Sequence, residues 1–183
     1  MVAAGLMNDI AYGQLSIMRK TKTAVLGQIL FLALALIVPM VFHARGLGPL
    51  VFVAQPMHWM ILFAGLAYGP MSGLLLGAAV PVASFALSGL PAPMMLPMMI
   101  PELAVYGLLA GLLKKKATAF GSVAIALVVG RLVFLAVFAA LGRLDGSVLG
   151  FVQATWAPGI VTMLLQIALL PLLAGLYVNW ARE

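Results

Sequence analysis

Four polar side chains, His58, Glu102, Arg131 and Gln166, lie in or at the edge of long apolar segments, one to a segment. Together they offer an imidazole, a carboxylate, a guanidinium and a carboxamide. Such a set suits a small polar molecule held by hydrogen bonds. A charge at the centre of a bilayer costs about 2.5–3.5 kcal/mol on insertion scales, so it faces a partner or a cavity rather than lipid. Gln55 and Trp156 stand just outside the same band and add an amide and an indole at its rim. We therefore expect His58, Glu102, Arg131, Gln166, Gln55 and Trp156 to bind substrate. No metal site is expected, since a lone histidine without nearby carboxylates or thiolates is a poor transition-metal ligand set. The same argument disfavours cobalt or nickel as the bound species.

Each residue also has a plain structural reading. Glu102 and Arg131 would tie two helices together as an ion pair. Gln166 would hydrogen-bond a neighbouring helix, worth about 0.6 kcal/mol in measured cases. His58 would cap the start of its helix. Shared depth favours a single site. At 1.5 Å per residue, all four fall roughly 15–21 Å above the basic side of the membrane, from the midplane into the other half.

The elements that position these residues follow from composition. The chain has 183 residues, is 65% hydrophobic and 8% charged, and has a mean hydropathy of +1.21. Soluble domains carry about 25% charged residues, so an all-α integral membrane protein is expected. The formal charge of +6 does not point to nucleic acid, because the basic residues flank apolar segments instead of forming a basic face. Cysteine is absent, which excludes a disulfide framework and a cysteine nucleophile.

Six spanning helices are predicted. Helix 1 covers about Ala24 to Phe42, and helix 2 runs from Pro56 to a tight Tyr68-Gly69-Pro70 turn. Helix 3 follows from Met71 to about Ser88. The stretch Gly89–Pro101, with four prolines and four methionines, is read as an ordered outer loop between helices 3 and 4. Met94, Met95, Met98 and Met99 would form an adaptable apolar lid or simple packing. Helix 4 begins at Pro97 or Pro101 and ends at Leu113, helix 5 covers Ala119–Leu141, and helix 6 covers Thr155–Trp180. Residues 1–18 are set apart as an N-terminal extension or leader of unknown role, because Met18-Arg-Lys-Thr-Lys has the look of a translation start. Residues 19–183 then form one six-helix substrate-binding domain.

Orientation comes from the basic residues. Arg19, Lys20, Lys22, Lys114, Lys115, Lys116 and Arg182 fall on one side, against Arg45 and Arg143 on the other. This asymmetry places both termini in the cytoplasm of a cell-membrane protein. Small residues at four-residue spacing, such as Gly73 and Gly77 or Gly107 and Gly111, permit close helix contact. They serve either the bundle itself or a membrane partner.

Walker A, H-E-x-x-H and G-x-S-x-G motifs are all absent. ATP-binding of the Walker type is thereby excluded. Glu102 is the only acid within a span, so a membrane enzyme using Glu102 and His58 as acid and base would lack a second carboxylate. The chain is therefore not expected to be an enzyme or to carry a cofactor.

The run Gln55-Pro56-Met57-His58, followed by Phe63-Ala64-Gly65-Leu66-Ala67-Tyr68-Gly69-Pro70-Met71-Ser72-Gly73, resembles the substrate-binding S components of energy-coupling factor (ECF) transporters. So do Pro101-Glu102-Leu103-Ala104-Val105-Tyr106-Gly107-Leu108-Leu109-Ala110-Gly111, then Gly130-Arg131, and Pro158-Gly159-Ile160 with Gln166 and Pro171. The resemblance covers residue 19 to the end. It implies a six-helix subunit of a prokaryotic plasma membrane that captures a vitamin or vitamin precursor at the outer face. It also implies docking on a transmembrane coupling protein driven by two ABC ATPases, with toppling in the membrane to release substrate inward. One departure concerns the Ala-x-x-x-Ala pattern with which many S components contact the coupling protein. Here Ala24 is followed four residues later by Gln28, and Ala33 by Ile37. The competing reading is an independent small transporter or channel using the same pocket.

Overall fold

A computed structural model describes residues 25–114, 116–144 and 146–181. The segment 1–18, set apart above, lies outside the described residues. Among the described residues six stretches are long and apolar enough to cross a membrane: Val25–Ala44, Gly48–Tyr68, Pro70–Ser88, Pro93–Leu113, Ala119–Ala140 and Val148–Trp180. The protein is thus an all-α, multi-pass membrane bundle, as its composition requires.

The first span is α1 (Val25–Ala44). The second is broken into α2 (Gly48–Ala54) and α3 (Pro56–Tyr68). Helix 2 was expected to start at Pro56, and α3 does, but α2 lengthens the span at its N-terminal end. The break has a local cause. Pro56 offers no N–H and disfavours helical backbone at the residue before it. Gln55 accordingly takes φ 49°, ψ 51°, a left-handed conformation that costs a non-glycine residue about 1–2 kcal/mol. The carbonyls freed at the end of α2 find side chains: Trp59 Nε1 donates to Ala54 O at 3.1 Å, and the Thr162 hydroxyl donates to Val53 O.

The hairpin partner of α3 is α4 (Pro70–Ser88), which ends on Gly89 at φ 73°. The irregular stretch that follows is shorter than expected. After a cis Leu90–Pro91 bond comes a single 3-10 turn, Pro93–Met95, and α5 (Leu96–Leu113) begins there. Pro97 sits in its first turn and Pro101 within the helix. Near the helix start, Pro101 forfeits a single backbone bond, so its ring does not end the helix.

Next comes α6 (Ala119–Ala140), capped by the Thr118 hydroxyl on the Gly121 N–H at 3.1 Å. Helix 6 also differs from expectation. It is preceded by α7 (Val148–Trp156), capped by Ser147, and by a 3-10 turn, Ala157–Gly159, centred on Pro158. Only then does α8 (Ile160–Trp180) run, with Pro171 inside it.

At the centre stands α5, which packs on α3, α4 and α6. Its contacts with α3 and α4 are made by backbone. A methyl on Gly65 or Gly73 would overlap Gly107, one on Gly77 would overlap Leu103, and one on Gly111 would crowd Pro70. The small residues at positions 65, 73, 77, 107 and 111 thus serve the bundle itself. Among the described residues, α1 is the outrider: 11% of its apolar window is buried, against 59% for the second span. Phe31 holds it, stacking on Phe63 at 4.3 Å and meeting Tyr68 and Tyr177 edge-on.

Candidate functional site

Glu102 faces inward from the second turn of α5 and is 1% exposed. Its Oε1 accepts the Tyr106 hydroxyl at 2.7 Å and lies 3.1 Å from Arg131 Nη1 of α6. His58 Nε2, from the first turn of α3, stands 3.9 Å from the same oxygen. That distance is too long for a hydrogen bond. The His58 and Tyr106 rings lie 5.2 Å apart, tilted by 49°. Gly130 makes the approach of α6 possible, since a methyl there would overlap the Tyr106 ring. Helices α3, α5 and α6 thus bring His58, Glu102 and Arg131 to one point, with the ion pair formed.

Gln166 of α8 is 0% exposed, and neither amide atom has a hydrogen-bond partner among the described residues. Its helix packs on both α3 and α6, which carry His58 and Arg131. The Gln55 amide nitrogen lies against Gly159 at the head of α8, where a methyl would overlap it. Its Oε1 is buried without a partner. The break between α2 and α3 therefore rests on the break between α7 and α8. Trp156 is half-buried at the end of α7. Among the described residues no hydrogen bond joins it to the others.

The four polar residues are buried from solvent. His58 and Arg131 are 8% exposed, and Glu102 and Gln166 less. Met98, one turn before Glu102 on the same face of α5, is fully buried. From the α6–α7 loop, Arg143 Nη1 donates to the Met94 carbonyl and lies 3.9 Å from Met98 Sδ. Of the four methionines, Met98 alone is fully buried while Met94 is exposed. A cavity of about 290 Å³ does open elsewhere, among α1, α3 and α8. Its walls are apolar, with Phe31, Trp59, Phe63 and Tyr177 among them, and none of the expected binding residues lines it.

Six buried polar atoms lack hydrogen-bond partners among the described residues: Gln55 Oε1, both His58 ring nitrogens, Arg131 Nε and both Gln166 amide atoms. Each such atom costs about 1–3 kcal/mol, so a cluster of them calls for an explanation beyond packing. Tyr106 and Thr162 were not singled out in the sequence. Tyr106 carried a signal, being four residues after Glu102 and hence on the same helical face.

A family model described as ECF transporter, substrate-specific component, matches residues 25–180. No curated protein and no solved structure matches the chain.

Proposed function

The chain belongs to the substrate-specific components of ECF transporters, and we propose that it captures a small water-soluble vitamin or vitamin precursor with the cluster around Glu102. Members of this family are membrane subunits that select cargo and catalyse no reaction themselves. The observation that supports the reading is the set of buried, unpartnered polar atoms of His58 and Arg131 beside Glu102, joined by those of Gln166, on a helix that packs on α3 and α6, and of Gln55, next to His58's helix. A bound molecule with several hydrogen-bonding groups would satisfy them together. In this reading Glu102 is fixed by Arg131 and Tyr106 and acts as an anchored acceptor. His58, Gln166 and Gln55 complete the contacts, and Trp156 covers the rim. Because these side chains are closed over one another, binding requires the outer ends of the helices to part.

The family also implies partners: a transmembrane coupling protein and two ABC ATPases. We place both termini in the cytoplasm and the polar cluster towards the outer face, on the basic-residue asymmetry. Residues 19–183 would act as one binding domain.

Mass spectrometry of small molecules retained by the purified protein tests the reading, followed by titration with whatever is found. A retained vitamin-like compound is expected, with ATP-driven uptake appearing only when coupling protein and ATPases are present. Concentrative uptake by the chain alone in liposomes would favour an independent transporter instead.

A further inference from the structure

Building on the capture reading above, we propose that the molecule bound carries no net charge and presents both donors and acceptors, as a neutral nitrogen heterocycle with an amide or amino edge does.

The cluster contains one carboxylate and one guanidinium, 3.1 Å apart and shielded from solvent. Their charges cancel within the protein. His58 is the remaining titratable group beside them besides the Tyr106 phenol. Its Nε2 stands outside hydrogen-bond range of a carboxylate already met by Arg131 and Tyr106. With the imidazole uncharged, the site is neutral overall. Arg143, above Met98, is engaged by the Met94 carbonyl in the outer loops. A ligand with a net charge would therefore bring that charge into a desolvated region without a counter-charge. That cost is large, and an isolated buried ion is met by pairing or neutralisation.

The unpartnered atoms narrow the class further. Arg131 Nε and Gln166 Nε2 donate only, Gln166 Oε1 and Gln55 Oε1 accept only, and an uncharged His58 offers one nitrogen of each kind. A carboxylate ligand accepts only and would leave both amide oxygens unmatched. An ammonium ligand donates only and would leave Arg131 Nε and Gln166 Nε2 unmatched. A carboxamide or an aminopyrimidine edge places donor and acceptor side by side and answers both sets.

The test uses the full chain in lipid nanodiscs, titrated by calorimetry and thermal shift. Probes are pyridine-3-carboxamide against pyridine-3-carboxylate, a pair alike in shape and different in charge, with riboflavin and pyridoxine as larger neutral compounds, pantothenate and biotin as anions, and thiamine as a cation. We expect one or more neutral probes to bind at least tenfold tighter than every charged one. Tighter binding of a charged probe overturns the charge proposal and leaves the capture reading standing. Absence of binding by every probe, with no small molecule retained on purification, overturns the capture reading and this proposal with it. Glu102→Gln, which leaves Arg131 as a net positive charge, is expected to shift preference towards anions. The double variant Glu102→Gln/Arg131→Gln restores neutrality and the neutral preference, and it serves where the single variant fails to fold. An anionic preference in the double variant would overturn the proposal.

Discussion

Gly107 and Gly73 meet backbone to backbone, so that a methyl on either would overlap the carbonyl of the other. The contact lies about one and a half turns below Glu102 on α5 and sets how closely α4 approaches the helix that carries the polar cluster. Gly107→Ala is expected to lower stability by about 1–3 kcal/mol, as overpacking does. A melt followed by tryptophan fluorescence checks it, and an unchanged midpoint would mean that the seam yields where the structure has it closed.

The Glu102–Arg131 pair is expected to behave as a unit. Breaking it by Arg131→Met leaves a buried carboxylate unpaired and should cost about 3–5 kcal/mol. Replacing both with Glu102→Gln and Arg131→Met should cost clearly less than the sum of the two single changes. A double-mutant cycle on thermal or denaturant stability gives the coupling. Additive losses would show that the two side chains do not depend on one another.

Gln166→Leu is expected to raise stability and to harm binding. The amide is fully buried with both atoms unpartnered, and removing such a group recovers about 1–3 kcal/mol. Ligand affinity should fall at least tenfold. A less stable variant with unchanged affinity would assign Gln166 to holding α8 against its neighbours.

Gly159→Ala places a methyl where the Gln55 amide now rests. Because a side-chain end can move, the stability loss should stay near about 1 kcal/mol. Binding should weaken, since Gln55 is displaced from the cluster. The pair Gly159→Ala/Gln55→Ala should melt above Gly159→Ala alone. No recovery in the pair would place the strain elsewhere.

Orientation is checked by single cysteines in this cysteine-free chain. A cysteine at Lys116 should react with a membrane-impermeant reagent only after the cells are opened, and one at Arg45 should react in intact cells. The reverse pattern would invert the topology and turn the polar cluster towards the cytoplasm.

The spans and the ion pair were legible in the sequence because their causes are local and costly. Apolar runs of spanning length have few alternatives, and an acid and a base at matching depth need one another. The two interruptions were less legible. Gly48–Ala54 and Val148–Trp156 are apolar whether they read as loops or as short helices, and the prolines at positions 56 and 158 signalled a start without saying what came before. Pro101 misled in the other direction, since its position near the head of α5 made it compatible with a helix already begun. That Gln55 meets Gly159 depends on how two distant breaks are brought together, which no pattern within either segment records. That Met98 alone of the four methionines is fully buried was equally hidden, because their spacing does not set it apart from the others.

The glycine seam between α4 and α5 also fixes which parts of the molecule can yield. Where Gly73 meets Gly107 and Gly77 meets Leu103 there is no glycine side chain to compress or re-rotate, so the seam is stiff and Glu102 stands on one of its two helices. By contrast, α2 and α7 are each a short helix joined to a longer one through a break. If the proposed capture at Glu102 holds, opening the polar cluster falls to those short arms swinging against a fixed mast, with the paired carboxylate as the stationary reference point for whatever enters.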